Sequence, residues 1–136
     1  MDENLNWKSE ISHVANKVSK STGIIRKSSF YLSKKTLRKL YFSLVYPYCT
    51  YCNLVWASTY RANIIRLEIL QIRVITTIAK TTFGAHTDPL FQNLGVLKFH
   101  DMYLIQLGLF MYSYQNYTLP LKFHCKFTVQ SQIHFV

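Results

Sequence analysis

Acidic residues are scarce in this chain of 136 residues, which contains six Asp and Glu in total and no Asp-Asp dipeptide. Three lie within the first ten residues, and the others, Glu68, Asp88 and Asp101, belong to separate segments, so we expect them to stay apart in the fold. Two-metal phosphoryl transfer needs closely placed carboxylates. The sequence therefore predicts no such chemistry with Mg²⁺ or Mn²⁺. It also contains no Walker motif and no dinucleotide fingerprint.

Cysteine is rare as well, with Cys49, Cys52 and Cys125 alone. An odd number of cysteines and no apolar leader after the polar N-terminus favour an intracellular setting with free thiols. A zinc site needs four ligands, and completing Cys49 and Cys52 with Cys125 and its neighbour His124 would give poor tetrahedral geometry. Because Cys49 and Cys52 lie among aromatic residues, we interpret them as core residues. We expect no metal site and no cofactor.

Long apolar runs are also absent, since no stretch of about eighteen uninterrupted apolar residues occurs and no membrane-spanning helix is expected. Residues 41–56 come closest, but polar residues and one proline interrupt them. His86 and Asp88 form a pair suited to acid–base chemistry, but neither a nucleophile nor a metal partner accompanies them. A capping and turn role is favoured for both, and no catalytic residue is predicted.

Positive charge is what the chain has in abundance, with sixteen Lys and Arg and a formal net charge of +10. Nine of them fall in the first forty residues: Lys8, Lys17, Lys20, Arg26, Lys27, Lys34, Lys35, Arg38 and Lys39. Clustered cations attract phosphate and release counterions from nucleic acid. Two interpretations stay open here, namely solvated helix faces and contacts with a phosphate backbone.

The overall composition is typical of one globular domain, with 49% hydrophobic and 16% charged residues. Charged residues usually reach ~25%, so we expect apolar surface that a partner covers. The chain contains ten Tyr, nine Phe and two Trp. Most occur at helical core spacing, whereas Tyr31 and Tyr60 are predicted to lie on the surface.

Helical periodicity dominates the first half of the chain. Trp7, Ile11, Val14 and Val18 form one apolar stripe of an amphipathic helix, weakened at Gly23. Beyond this stripe, Ile24, Ile25 and Phe30 are predicted to continue the apolar contact of this helix to about Tyr31. A second helix follows Ser33, which is a good N-cap. Its predicted core face consists of Leu37, Leu40, Tyr41, Leu44 and Val45.

Proline and glycine residues divide the rest of the chain into separate helices. Pro47 is expected to kink or end the second helix, with helix continuing over 48–56 before a connector at 57–60. A third helix is predicted over 62–80. Its predicted apolar face consists of Ile64 or Ile65, Leu67, Ile69, Ile72, Ile75 and Thr76.

A loop at 81–88 contains Gly84 and precedes a short helix at 90–94, which is capped by Thr87 or Asp88 and ended by Gly95. The last helix is predicted over 100–117. Its predicted inward residues are Tyr103, Leu104, Leu107, Phe110, Met111 and Tyr114.

These elements predict an all-α fold, a small bundle of about four to five helices with an irregular C-terminal tail. Residues 1–117 are assigned to the helical domain. Residues 118–136 form the tail, of which 121–136 alternate weakly and are typical of a short strand or a disordered segment.

Five sequence blocks in one order resemble the region after the palm in reverse transcriptases of non-LTR (LINE-type, jockey-like) retrotransposons. Residues 1–11 are similar to Asp-x-x-Leu-x-Trp-x-x-His-Ile, with Glu10 in place of the common histidine. The second block matches Tyr-x-Ser-Leu-x-x-Pro-x-x-x-Tyr-x-x-x-x-Trp. Its matching residues are Tyr41, Ser43, Leu44, Pro47, Tyr51 and Trp56.

Three shorter blocks follow. Leu70, Gln71 and Arg73 match Leu-Gln-x-Arg, although Ile72 and Thr76 stand where the family usually has basic residues. Residues 85–91 are similar to His-Thr-x-Pro-Leu-Phe, and Asp101 followed by residues 110–112 completes the series. Together the blocks cover nearly all of residues 1–117.

The resemblance implies a thumb-like helical domain, which in such polymerases helps to hold the template–primer duplex near the palm. It also implies a truncated open reading frame, with the catalytic Phe/Tyr-Ala-Asp-Asp motif upstream of Met1. We expect a fragment without reverse transcriptase activity that binds RNA or an RNA–DNA hybrid through phosphate, without base readout. The alternative is a small helical protein-interaction module, with an exposed apolar patch around residues 48–56. The predicted nucleic-acid-binding residues are Lys17, Lys20, Arg26, Lys27, Lys34, Lys35, Arg38, Lys39 and Arg73.

Overall fold

A computed structural model describes residues 7–51, 53–57, 61–82 and 86–120. All regular structure in these ranges is helical, which confirms the predicted all-α class. The seven helices are α1 (Lys8–Ser28), α2 (Lys34–Leu44), α3 (Tyr46–Thr50), α4 (Asn53–Trp56), α5 (Arg61–Ala79), α6 (Thr87–Leu94) and α7 (Phe99–Gln115). They exceed the predicted number because the segment after Pro47 is split into short pieces. Within the described ranges, no helix has the length and apolar character needed to cross a lipid bilayer.

The chain divides into two compact units, residues 1–103 and residues 104–136. The first unit contains α1 to α6 and the beginning of α7. Its core forms mainly where α1 packs against α5, with α2 against both. The predicted tail segment 121–136, the connector residues 58–60 (with Tyr60) and Gly84 lie outside the described residues.

Helix α1 follows its predicted stripe. Ile11, Val14 and Val18 are buried, and the helix continues through Gly23 to bury Ile25 as well. Periodicity therefore identified the correct face.

The predicted apolar contact beyond Ile25 is wrong for the neighbouring side chains. Ile24 is half-exposed, whereas Phe30 and Tyr31 are 82% and 89% exposed. Phe30 and Tyr31 are exposed because α1 ends at Ser28, and Leu32 packs against the core instead. Ile24 lies within α1 but outside its buried stripe. The predicted surface position of Tyr31 is confirmed.

Helix α2 begins as its sequence predicts. The Ser33 hydroxyl accepts a hydrogen bond from the Thr36 backbone N–H at 3.4 Å, which satisfies a donor left unpaired at the helix start. Leu37, Tyr41 and Val45 are fully buried. Leu40 and Leu44, on the flank of this face, are half-buried.

Pro47 ends one helix and begins another, as predicted. Helix α2 stops at Leu44, and Pro47 lies in the first turn of α3, where its missing N–H has no helical partner to lose. The predicted continuous helix to Trp56 is wrong, because Tyr51 is extended with ψ 115°. The Tyr51 carbonyl accepts a hydrogen bond from Trp56 Nε1 at 3.0 Å, so the break gives the buried indole a partner.

Helix α5 lies within one residue of the predicted span, but its core face differs from the predicted one, since Leu70, Val74 and Ile78 are also buried. Ile64, Leu67 and Ile75 are buried, but Ile65 and Ile69 are 42% and 39% exposed. This helix also buries an amide that no apolar pattern predicts, because Gln71 is 2% exposed.

Gln71 connects three parts of the first unit. Its Nε2 donates to the Tyr41 hydroxyl at 2.9 Å and to the Leu97 carbonyl at 2.8 Å. Its Oε1 accepts a hydrogen bond at 2.8 Å from the backbone N–H of Phe99, and Phe99 is the first residue of α7. The side chain therefore caps α7 while it joins α5 to α2.

Helix α6 starts three residues earlier than predicted, at Thr87, with His86 at the N-cap position and Pro89 still in the first turn. The predicted caps Thr87 and Asp88 are therefore inside the helix. Gly95 ends α6 in the left-handed conformation, with φ +58°, as predicted.

The second unit contains the remainder of α7, which ends at Gln115, two residues before the predicted end. The prediction that Leu104, Leu107 and Met111 point inward is wrong, since they are 49%, 36% and 48% exposed. Phe110 and Tyr114 are half-buried. Apolar residues occur on all sides of this segment, so the sequence contains no stripe that marks a buried face.

Candidate nucleic-acid interface

All nine predicted nucleic-acid-binding residues have exposed side chains. On α1, Lys20 and Lys27 lie two turns apart on the same outer face. On α2, Lys35 and Lys39 lie one turn apart. Lys17 and Lys34 also lie on the exposed sides of these two helices. Among the described residues, the structure gives an ion pair between Lys98 and Asp88.

Two of the nine, Arg26 and Arg73, come together at one cleft between α1 and α5. They are 47 positions apart in the sequence, so only the packing of these helices brings them to one place. This convergence is the strongest candidate binding feature of the first unit.

Arg38 is placed differently from the other eight. Its Nε donates a hydrogen bond to the Leu94 carbonyl at the end of α6, and its guanidinium lies 5.0 Å from the centre of the Phe42 ring. The last carbonyls of a helix lack helical partners and attract cations. A Cβ built on Gly95 would lie 3.2 Å from the guanidinium. Arg38 therefore holds α6 against α2, a role that sequence reasoning missed.

The nine cations thus lie on several faces rather than along one track. Arg26 and Arg73 share a cleft, the α1 lysines and the α2 lysines occupy the outer sides of two helices, and Arg38 faces α6. This distribution suits diffuse electrostatic attraction more than a continuous groove along a duplex. It also favours the alternative of a protein-interaction module.

The acidic residues of the first unit converge more than predicted. Glu68 and Asp101 line one cleft of about 380 Å³, and Asp88 and Asp101 line a neighbouring one. Carboxylates from three separate segments therefore line adjoining clefts, which the sequence did not predict. Within the described ranges, however, no three His, Cys, Asp or Glu side chains are grouped as metal ligands.

Asp88 forms an ion pair with Lys98, whose Nζ lies 2.6 Å from the carboxylate. The hydrogen bond from Lys98 lowers the pKa of Asp88, and Asp88 in turn raises the pKa of Lys98. Both side chains are exposed, so this pair contributes little to stability. It joins the first turn of α6 to the residue that precedes α7.

Cys49 is a core residue, as interpreted, with 1% of its side chain exposed. Burial raises the pKa of its thiol to about 12, so the thiolate needed for metal binding or redox chemistry is disfavoured. The other members of the rejected zinc set, Cys52, His124 and Cys125, lie outside the described residues.

Several residues of the reverse-transcriptase-like blocks have structural roles. Tyr41, Trp56 and Gln71 are buried and hydrogen-bonded, and Pro47 sets the boundary between α2 and α3. Comparisons with protein families, with curated proteins and with solved structures found no match to this chain. The resemblance therefore rests on the sequence blocks alone.

Proposed function

We propose that this chain derives from the thumb-like region of a LINE-type reverse transcriptase and binds RNA or an RNA–DNA hybrid through phosphate contacts, without polymerase activity of its own. The order and spacing of the five sequence blocks support the origin. The observation that carries the binding proposal is the convergence of Arg26 and Arg73 on one cleft of a chain with net charge +10. In the parent enzyme, this region would lie against the polymerase palm.

Binding to a labelled RNA–DNA hybrid and to single-stranded RNA is expected to weaken steeply with salt. Each phosphate neutralised contributes about −0.7 to −0.9 to the slope of log affinity against log salt. Three or more contacts therefore give a slope steeper than about −2 between about 50 and 200 mM salt. Fluorescence anisotropy titrations measure this slope. An affinity that stays constant with salt would contradict the phosphate contacts. Equal affinities for unrelated sequences are expected if there is no base readout.

A second function, association through protein contacts, is favoured by the second unit. Its helical segment exposes large apolar side chains, among them Ile105 and Leu109, which are 48% and 61% exposed. The patch predicted around residues 48–56 is smaller, although Tyr51 is 73% exposed. Apolar surface of this kind marks interaction sites. Residues 102–121 contain no charged side chain, so a second copy would place no cation against another there.

The test of this second function is sedimentation at rising protein concentration. If α7 mediates self-association, the wild-type chain dimerises, and a variant with both Ile105→Gln and Leu109→Gln shifts towards monomer by tenfold or more in dissociation constant. The matched control is Ile24→Gln, which changes a 51% exposed aliphatic side chain on α1 and leaves the dimer intact. A wild-type chain that stays monomeric at all concentrations would exclude self-association.

A further inference from the structure

We propose that the cleft between α1 and α5 is a seat for one phosphate group, held between the guanidinium groups of Arg26 and Arg73. This inference rests on the proposed function, since it names the place where a strand of nucleic acid would be gripped most strongly. It goes further because it assigns one phosphate to one cleft, whereas a diffuse cationic surface has no preferred position.

The cleft is formed by one edge of each helix. Its volume is about 430 Å³, within the range of sites that hold small ligands. The α1 residues are spaced by three and four positions, so they form a continuous edge. The lining residues are Ser19, Thr22, Gly23 and Arg26 from α1, Leu70, Arg73, Thr76 and Thr77 from α5, and Thr81 just after it.

The chemistry of this lining selects an anion. Two arginines supply planar donors suited to phosphate oxygens, and the described part of the chain places no carboxylate in the lining. Three of the hydroxyls already donate hydrogen bonds to backbone carbonyls. Thr22 bonds the Val18 carbonyl and Thr77 bonds the Arg73 carbonyl, each at 2.7 Å, and Thr76 bonds the Ile72 carbonyl at 3.0 Å. These bonds fix the hydroxyl groups along the helix edges.

Gly23 supplies an independent reason to expect a ligand here. It lies inside α1, where glycine is less favourable than alanine. A Cβ built at this position would meet no atom of the described residues within 4 Å, and the φ of Gly23 is not positive. Neither packing nor backbone geometry therefore requires glycine. Its missing side chain keeps the cleft open beside Arg26, which allows an anion to approach the helix closely.

The test compares single substitutions that each remove one positive charge. In anisotropy titrations with single-stranded RNA at fixed salt, Arg26→Gln and Arg73→Gln are each expected to weaken binding about tenfold. The matched controls Lys20→Gln and Lys27→Gln, on the outer face of α1, are expected to weaken it less than about threefold. Circular dichroism and thermal unfolding of every variant verify that the helices are retained.

A neutral substitution separates shape from charge. Gly23→Leu fills the cleft without changing the net charge and is expected to weaken RNA binding about tenfold while the melting temperature stays equal or rises. Gly23→Ala adds one methyl group at the same edge of the cleft and is expected to weaken binding about threefold, less than Gly23→Leu does. Equal weakening by all four charge variants, with no effect of Gly23→Leu, would overturn the cleft while leaving diffuse phosphate binding intact.

Titration with inorganic phosphate, followed by NMR of backbone amides, examines the cleft without nucleic acid. Shifts confined to residues 19–26 and 73–81 support the seat, and Arg26→Gln is expected to abolish them. If RNA fails to bind while these shifts occur, the proposed function is wrong and the cleft serves free phosphate. Shifts spread evenly over α1 and α2 would overturn the seat itself.

Discussion

The Gln71→Ala variant is expected to lose about 3 kcal/mol of unfolding free energy. The substitution removes the partner of the Tyr41 hydroxyl, the Leu97 carbonyl and the Phe99 N–H, which bond Gln71 at 2.8–2.9 Å. A buried polar group left without a partner costs about 1–3 kcal/mol, and the removed side chain leaves a cavity. Urea denaturation followed by circular dichroism measures the change.

Two further variants separate the causes. Gln71→Met keeps most of the volume but none of the hydrogen bonds, so we expect it to lose about 2 kcal/mol. Gln92→Ala changes an exposed glutamine on α6 and is expected to stay within about 0.5 kcal/mol of the wild type. If Gln71→Ala were as mild as Gln92→Ala, the hydrogen bonds that join α2, α5 and α7 would contribute nothing.

The Trp56→Ala variant is expected to be the most damaging single change, at about 4 kcal/mol. Trp56 is 2% exposed and is the largest of the fully buried side chains. Its ring stacks on Phe99 with the ring centres 5.6 Å apart, and its Nε1 bonds the Tyr51 carbonyl. Domains are stable by only about 5–15 kcal/mol, so this variant should be partly unfolded at physiological temperature.

Trp56→Phe provides the control, since phenylalanine retains the aromatic stack but not the hydrogen bond to Tyr51. We expect it to lose about 1–2 kcal/mol. Val55→Ala, at the exposed neighbouring position, should have little effect. A loss below about 1 kcal/mol for Trp56→Ala would mean that α4 does not contribute to the core in solution.

Features that depend on neighbours in sequence were predictable. The α1 stripe of Ile11, Val14 and Val18 needs only the helical period, and the Ser33 cap and the Gly95 end need only local hydrogen bonding and backbone freedom. Pro47 likewise acts on its own helix. These positions set the start of α2, the boundary between α2 and α3, and the end of α6.

Features that depend on distant contacts were not predictable. The break at Tyr51 accompanies the side-chain bond from Trp56, and Gln71 is buried because Tyr41 and Leu97 meet its amide. Apolar periodicity treats glutamine as a surface residue. The exposed face of α7 was missed for a related reason. When a helix is apolar on all sides, the sequence pattern does not indicate which side is buried.

In the candidate site, too, the local features were predictable and the features that depend on distant contacts were not. Composition identified Arg26 and Arg73 as cations near other cations, but not that α1 and α5 place them at one cleft. Arg38 belonged to the same predicted set, yet its nearest described partners are Leu94 and Phe42. Charge clustering in sequence therefore indicates an attraction for phosphate, whereas the position of a site depends on which helices pack together.

During synthesis on the ribosome, α1 emerges well before the helix that covers it. Roughly fifty residues separate the end of α1 at Ser28 from the end of α5 at Ala79, which takes about 3–10 s at usual elongation rates. Throughout this interval, the stripe of Ile11, Val14 and Val18 is displayed on a strongly basic helix. Such a segment is a favourable target for chaperones that protect nascent chains from aggregation.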